Sequence, residues 1–97
     1  PSFSPEKGEI PREGQTKRHT LELQAGQCYS VLVVGGEGLH DIDVQLTRGA
    51  TELANDGTRN AFPSVRHCVD QTGPYRVAIR AKTGEGTYFM QVFKRSE

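Results

Sequence analysis

From His19 onward the chain alternates apolar and polar residues in short runs separated by turns, and a period of two is what a β-strand with one buried face requires. Leu21 and Leu23 alternate with Thr20, Glu22 and Gln24; Ile42, Val44 and Leu46 alternate with Asp41, Asp43 and Gln45; Tyr75, Val77, Ile79 and Ala81 alternate with Arg76, Ala78 and Arg80. Apolar stripes at helical spacing are absent, which excludes a helical or mixed fold. Turn signals stand at Ala25-Gly26-Gln27, Gly35-Gly36-Glu37-Gly38, Arg48-Gly49, Gly73-Pro74 and Gly84-Glu85-Gly86. Strands recur at roughly ten-residue intervals, about seven or eight in all, the count of an all-β, two-sheet sandwich with antiparallel strands.

Finer features set expectations for individual segments. Cys28 to Val34 is nearly continuous in apolarity, which predicts a central strand with both faces covered. Asn55-Asp56-Gly57 is a strong hairpin signal and predicts two short edge strands between residues 48 and 62. Gly84-Glu85-Gly86 predicts a hairpin leading into residues 87 to 93, where Tyr88, Phe89 and Phe93 are expected to help fill the core. Residues 1–18, rich in Pro, Gly, Glu and Lys, read as a linker or N-terminal arm with room for a first short strand, and Ile10 alone there is suited to packing. The sandwich domain is expected to span 19–97.

A domain of 97 residues has a modest core, since a chain this short buries only about 60 to 65% of the surface that its unfolded form exposes. Lysine plus arginine balances aspartate plus glutamate at 12 each, so no net field draws the chain to nucleic acid or an anionic membrane. No apolar run approaches the ~18 residues of a membrane span, and membrane insertion is not expected.

The two cysteines, Cys28 and Cys68, fall in different strands. In an oxidising compartment they would join and close a loop of ~40 residues, worth up to about 4 kcal/mol on the chain-entropy model; in a reducing cytosol they would be buried, inert thiols. Zinc is disfavoured, because neither cysteine has a CxxC partner and His67, next to Cys68, points to the opposite face of a strand.

The remaining chemistry-bearing residues are sparse. Gly35-Gly36-Glu37-Gly38 lacks the third glycine of a dinucleotide fingerprint and leads into a strand rather than a helix; Lys82-Thr83-Gly84-Glu85-Gly86-Thr87 lacks P-loop spacing. His19, His40 and His67 are scattered, and no serine or cysteine sits in a nucleophile elbow, so an enzyme is not expected. Asp41 and Asp43 share a strand face, with Asp56 across a hairpin, and these hard oxygens are candidate calcium ligands; the alternative is a solvated strand face. Arg76, Arg80 and Lys82 form a basic stripe, suited to an acidic partner or to sugar carboxylates, or else the wet side of a sheet.

Three stretches, Leu21-Glu22-Leu23-Gln24-Ala25-Gly26-Gln27-Cys28-Tyr29-Ser30-Val31, Asp41-Ile42-Asp43-Val44-Gln45-Leu46 and Thr72-Gly73-Pro74-Tyr75-Arg76-Val77, occur in an order that resembles the bacterial pre-peptidase C-terminal domain, a small jelly-roll module that trails many secreted proteases. The resemblance runs from about Gly8 to Phe93, and the cysteines lie outside its general pattern. It implies a jelly-roll-like sandwich in an extracellular or periplasmic protein, beside a catalytic or receptor domain, with polysaccharide, protein or calcium as ligand. The expectation is a non-catalytic accessory or binding module of an exported bacterial protein that recognises a polysaccharide or protein partner. The alternatives are an assembly module that acts by strand addition at the edge strands near residues 48 to 62, and the C-terminal domain of a secreted hydrolase whose catalytic domain lies elsewhere.

Overall fold

The computed structural model describes residues 5–95; residues 1–4 of the expected arm, and 96–97, lie outside the described residues. Eight strands are formed: β1 (Glu6–Ile10), β2 (Thr16–Leu23), β3 (Cys28–Gly35), β4 (Leu39–Arg48), β5 (Thr51–Asp56), β6 (Ser64–Cys68), β7 (Gly73–Gly84) and β8 (Gly86–Arg95). They make two four-stranded antiparallel sheets, a first of order β1-β8-β3-β6 and a second of order β2-β7-β4-β5. Only β4 and β5 follow one another within a sheet, and every other connection crosses between sheets. This is the jelly-roll solution to the edge-strand problem.

The alternation read from the sequence decides which side chains meet between the sheets. Tyr29, Val31, Val33, Met90 and Val92 of the first sheet pack against Leu23, Ile42, Val44, Val77 and Ile79 of the second, all buried. Each such aliphatic side chain contributes about 1.5–3 kcal/mol by leaving water. The buried tyrosines carry polar tips that must be satisfied. The Tyr29 hydroxyl accepts the Gln24 N–H at 3.0 Å, that of Tyr75 donates to the Gln71 carbonyl at 2.5 Å, and that of Tyr88 lies 2.7 Å from His19 Nε2. The last bond ties the two sheets together, and it needs Gly8, because a Cβ there would overlap the Tyr88 ring that lies across β1.

Several expectations are corrected. Ile10 is fully buried and β2 begins at Thr16, so residues 6–18 belong to the sandwich and the boundary expected at 19 falls inside a strand. β3 is central, but Ser30, Leu32 and Val34 of its outer face are partly open to solvent. β7 and β8 lie in different sheets, so Gly84-Glu85-Gly86 is a crossover rather than a hairpin turn. Tyr88 enters the core while Phe89 and Phe93 face outward, because residues 87–93 are apolar on both faces and the register with β3 puts the even-numbered positions inside. Asn55-Asp56-Gly57 also ends in a crossover: the hairpin is the β4–β5 turn at Gly49, and residues 57–63 carry the chain from the second sheet to the first.

The two glycine-rich segments owe their composition to each other. Gly38 and Gly84 have φ of 96° and 95°, and a Cβ on Gly84 would fall on the Gly38 carbonyl oxygen, which already accepts the Glu85 N–H at 3.0 Å. Backbone here packs on backbone, with no room for a side chain.

Cys28 and Cys68 stand directly opposite in the β3–β6 ladder and are joined by a disulfide with an S–S distance of 2.01 Å. It lies on the outer face of the first sheet, whereas His67 and Tyr29 occupy the inward parity.

Two outcomes follow for stability. Gly84→Ala should lower the unfolding free energy by about 2–4 kcal/mol through the clash and the left-handed backbone together, seen as a reduced urea midpoint at unchanged slope. Replacing both Cys28 and Cys68 by serine should cost about 2–4 kcal/mol, read from the same denaturation curves.

Candidate functional site

The outer face of the second sheet is where the solvent-facing halves of β2, β7, β4 and β5 come together. The ladders place Arg18 opposite Ala78, Ala78 opposite Gln45, and Gln45 opposite Asn55. On one side of this row runs Thr16, Arg80 and Asp43; on the other, Thr20, Arg76, Thr47 and Glu52. Residues i and i+2 of a strand share a face, so Arg76 and Arg80 flank Ala78 along β7 while Arg18 stands beside it on β2. The short alanine leaves space among three long side chains. The result is an open depression of about 520 Å³ whose rim includes Arg18, Arg76, Arg80, Asp43, Glu52 and Asp56.

Charge is segregated across this depression. β2 and β7 carry the guanidinium groups, and β4 and β5 carry the carboxylates. The acidic side is internally bonded. Glu52 accepts from the side-chain amides of Gln45 and of Asn55, the latter at 2.7 Å, and these bonds hold its carboxyl below the usual range. Asp56 accepts the Ser64 N–H and the Thr58 N–H, each at 2.9 Å, and the Ser64 bond first, then that to Thr58, lowers its pKa. The basic side is different. Among the described residues the single ion pair joins Lys82 Nζ to Asp43 Oδ2 at 4.0 Å, so Arg18, Arg76 and Arg80 have no carboxylate within salt-bridge distance.

The basic stripe expected at Arg76, Arg80 and Lys82 is therefore divided. Arg76 and Arg80 stay together, Lys82 turns to Asp43, and Arg18 joins from β2. Arg18 falls in the segment read as an arm, and because Thr16 to Thr20 are all polar no alternation marks its face; the β2–β7 register places it.

The calcium trio does not assemble. β4 is irregular between Leu39 and Ile42, which breaks the alternation and turns Asp41 inward to 7% exposure beside Ile42. Asp41 then lines a small depression with His40, Arg59, Lys82 and Thr83, while Asp56 holds the β5–β6 crossover. Among the described residues no group of three His, Cys, Asp or Glu side chains that could hold a metal is formed. Burial, offset by Lys82 and reinforced by Asp41, raises the Asp43 pKa. The buried Oδ1 atoms of Asp41 and Asp43 have no hydrogen-bond partner. Of the histidines, His19 is engaged with Tyr88.

Taken together, sandwich and face define a module that presents a broad charged surface rather than an enclosed pocket. Its fold is that of the pre-peptidase C-terminal domain. The structure of that domain from a Bacillus anthracis collagenase superposes with a TM-score of 0.76 at 16% identity, covering 93% of this chain and 88% of that one. The Aeromonas hydrophila protein PliG, a periplasmic inhibitor of g-type lysozyme, superposes with a TM-score of 0.71 at 16% identity, covering 95% of this chain and 85% of that one. No family model matches the sequence, and neither does any curated protein. At these identities the likeness is one of fold.

Asp56 supplies a test of the site's scaffold. Its folded pKa is depressed, so its contribution to stability is present above about pH 4 and is lost as pH falls below that value. Asp56→Ala should lower the unfolding free energy by about 1 kcal/mol at neutral pH, with solvent screening included. The difference from the parent should shrink in urea titrations repeated at progressively lower pH, as the folded-state carboxyl becomes protonated.

Proposed function

We propose that this chain is a non-catalytic protein-binding module of an exported protein, and that it grips an acidic protein surface with the outer face of its second sheet. Arg18, Arg76 and Arg80, grouped around Ala78 without an ion pair, carry this reading. A guanidinium matches a carboxylate through two parallel N–H···O bonds, and three such groups on a rigid sheet are pre-organised to meet several carboxylates at once. Asp43, Glu52 and Asp56 line the opposite side of the depression, so the acidic groups of a partner are directed to its arginine side. An open face of this breadth suits a macromolecule better than a small metabolite, which needs enclosure. The disulfide suits an extracellular or periplasmic location, and PliG, a protein of similar fold, is a periplasmic protein inhibitor.

Immobilised poly-L-glutamate and polygalacturonate of matched charge are suitable probes. The parent chain should bind polyglutamate in a salt-sensitive manner, and the triple variant Arg18→Ala, Arg76→Ala, Arg80→Ala should bind at least about tenfold more weakly. A control with Lys17, Arg59 and Lys94 replaced by alanine removes the same charge elsewhere and should change affinity by less than about threefold. Equal losses in the two triple variants would refute the assignment of the face; a clear preference for polygalacturonate would redirect it to an acidic polysaccharide.

A further inference from the structure

The outer face of the first sheet has the opposite character. Val34, Phe62, Phe89 and Phe93, at 44, 63, 48 and 41% exposure, are the large hydrophobic residues left open to solvent among the described residues. All four lie on this face. Lys7 is opposite Phe89 in the β1–β8 ladder, and Phe89 is opposite Val34 in the β3–β8 ladder. The chain before β6 continues that strand's pairing, since Val33 donates to the Pro63 carbonyl at 3.0 Å and Gly35 to the Ala61 carbonyl at 2.6 Å, which brings Phe62 opposite Val34. One row, Lys7–Phe89–Val34–Phe62, thus crosses the whole sheet. Phe93 lies on the same face of β8, four residues beyond Phe89, with Leu32 on the neighbouring strand.

We infer that this face is a self-association surface, and that its occupant is the same face of a second copy of the chain. Size is the first argument. Taking about 200 Å² for a fully exposed aromatic side chain, the three phenylalanines and Val34 expose roughly 350 Å² of apolar surface. A standard interface buries about 800 Å² per partner, a little over half of it apolar. With Leu32 and the Lys7 stem added, the patch supplies most of the apolar centre that one interface of modest affinity needs.

Charge is the second argument. The formal net charge is zero, so long-range repulsion does not keep copies apart. Symmetry is the third. An isologous contact needs a surface that complements itself, residue i meeting j while j meets i. A two-fold axis lying in the interface, parallel to the strands and between β8 and β3, sets Phe89 on Val34 of the second copy and Lys7 on its Phe62. The Lys7 ammonium already stands 6.0 Å from the Phe89 ring centroid, so it is placed over the row and gains a second aromatic face. The row meets its reverse without bringing like charges together.

Sedimentation equilibrium between about 5 and 500 µM tests this, a range suited to a small interface. The weight-average mass should rise from 10.7 kDa toward twice that value. Phe62→Glu and Phe89→Glu should each weaken association at least about tenfold with unchanged circular dichroism, and Phe89→Leu should retain it. For the parent, NMR shifts that change on dilution should cluster at Phe62, Phe89 and Phe93, a readout that does not depend on any variant folding. A mass of 10.7 kDa across the whole range would overturn the inference, and so would a dimer that survives both glutamate variants, which would point to strand edges or the arginine face.

Discussion

The contact between the two inner sheet faces is the interaction on which all else in this molecule rests. The chain crosses from one sheet to the other at every connection but that between β4 and β5, so neighbouring strands in sequence seldom pair and no local segment completes a hydrophobic layer alone. Leu21 and Leu23 need Tyr75 and Val77 from more than fifty residues away before they are covered within their own sheet. A topology dominated by such distant pairings has a high contact order and folds slowly compared with helical domains of this size. It also fixes both outer faces at once, because each strand presents its alternate residues to solvent in a register set by the core.

The sequence was most legible where one face of a strand is apolar and the other polar. β2 from Thr20 onward, β4 from Ile42 onward, and β7 obey this rule, and their inward residues follow from alternation alone. It was least legible where both faces are apolar. Along β8, Tyr88, Met90 and Val92 compete with Phe89 and Phe93 for the interior, and only pairing with β3 and β1 decides between them. Turn chemistry was ambiguous in another way: Asn55-Asp56-Gly57 and Gly84-Glu85-Gly86 mark reversals of the chain without stating whether it returns to the same sheet. The arginine face was half legible. Arg76 and Arg80 share a strand and were visible as a stripe, but Arg18 reaches them only through the β2–β7 register. The inward turn of Asp41 depends on an irregularity in β4 that no composition rule announces.

A net charge of zero conceals a strongly uneven distribution. The depression on the second sheet is lined by guanidinium groups from two strands and carboxylates from two others, while the first sheet presents phenylalanine and valine. Such a molecule has opposite sides suited to different tasks, one electrostatic and salt-sensitive, the other apolar and much less so. If two copies meet through their apolar faces, their arginine faces point in opposite directions, and a partner that offers two acidic sites is engaged with avidity rather than with single-site affinity.

The disulfide joins neighbouring strands of one sheet, with β6 at that sheet's free edge. An edge strand is the element that a sandwich most readily lends to another molecule, and exchange of identical strands is a low-cost route to entangled dimers. With Cys68 bonded to Cys28, β6 cannot leave β3 while the bond is intact. Strand swapping through β6 is thereby closed off, and contacts involving this edge have to be made between molecules that keep β6 in place.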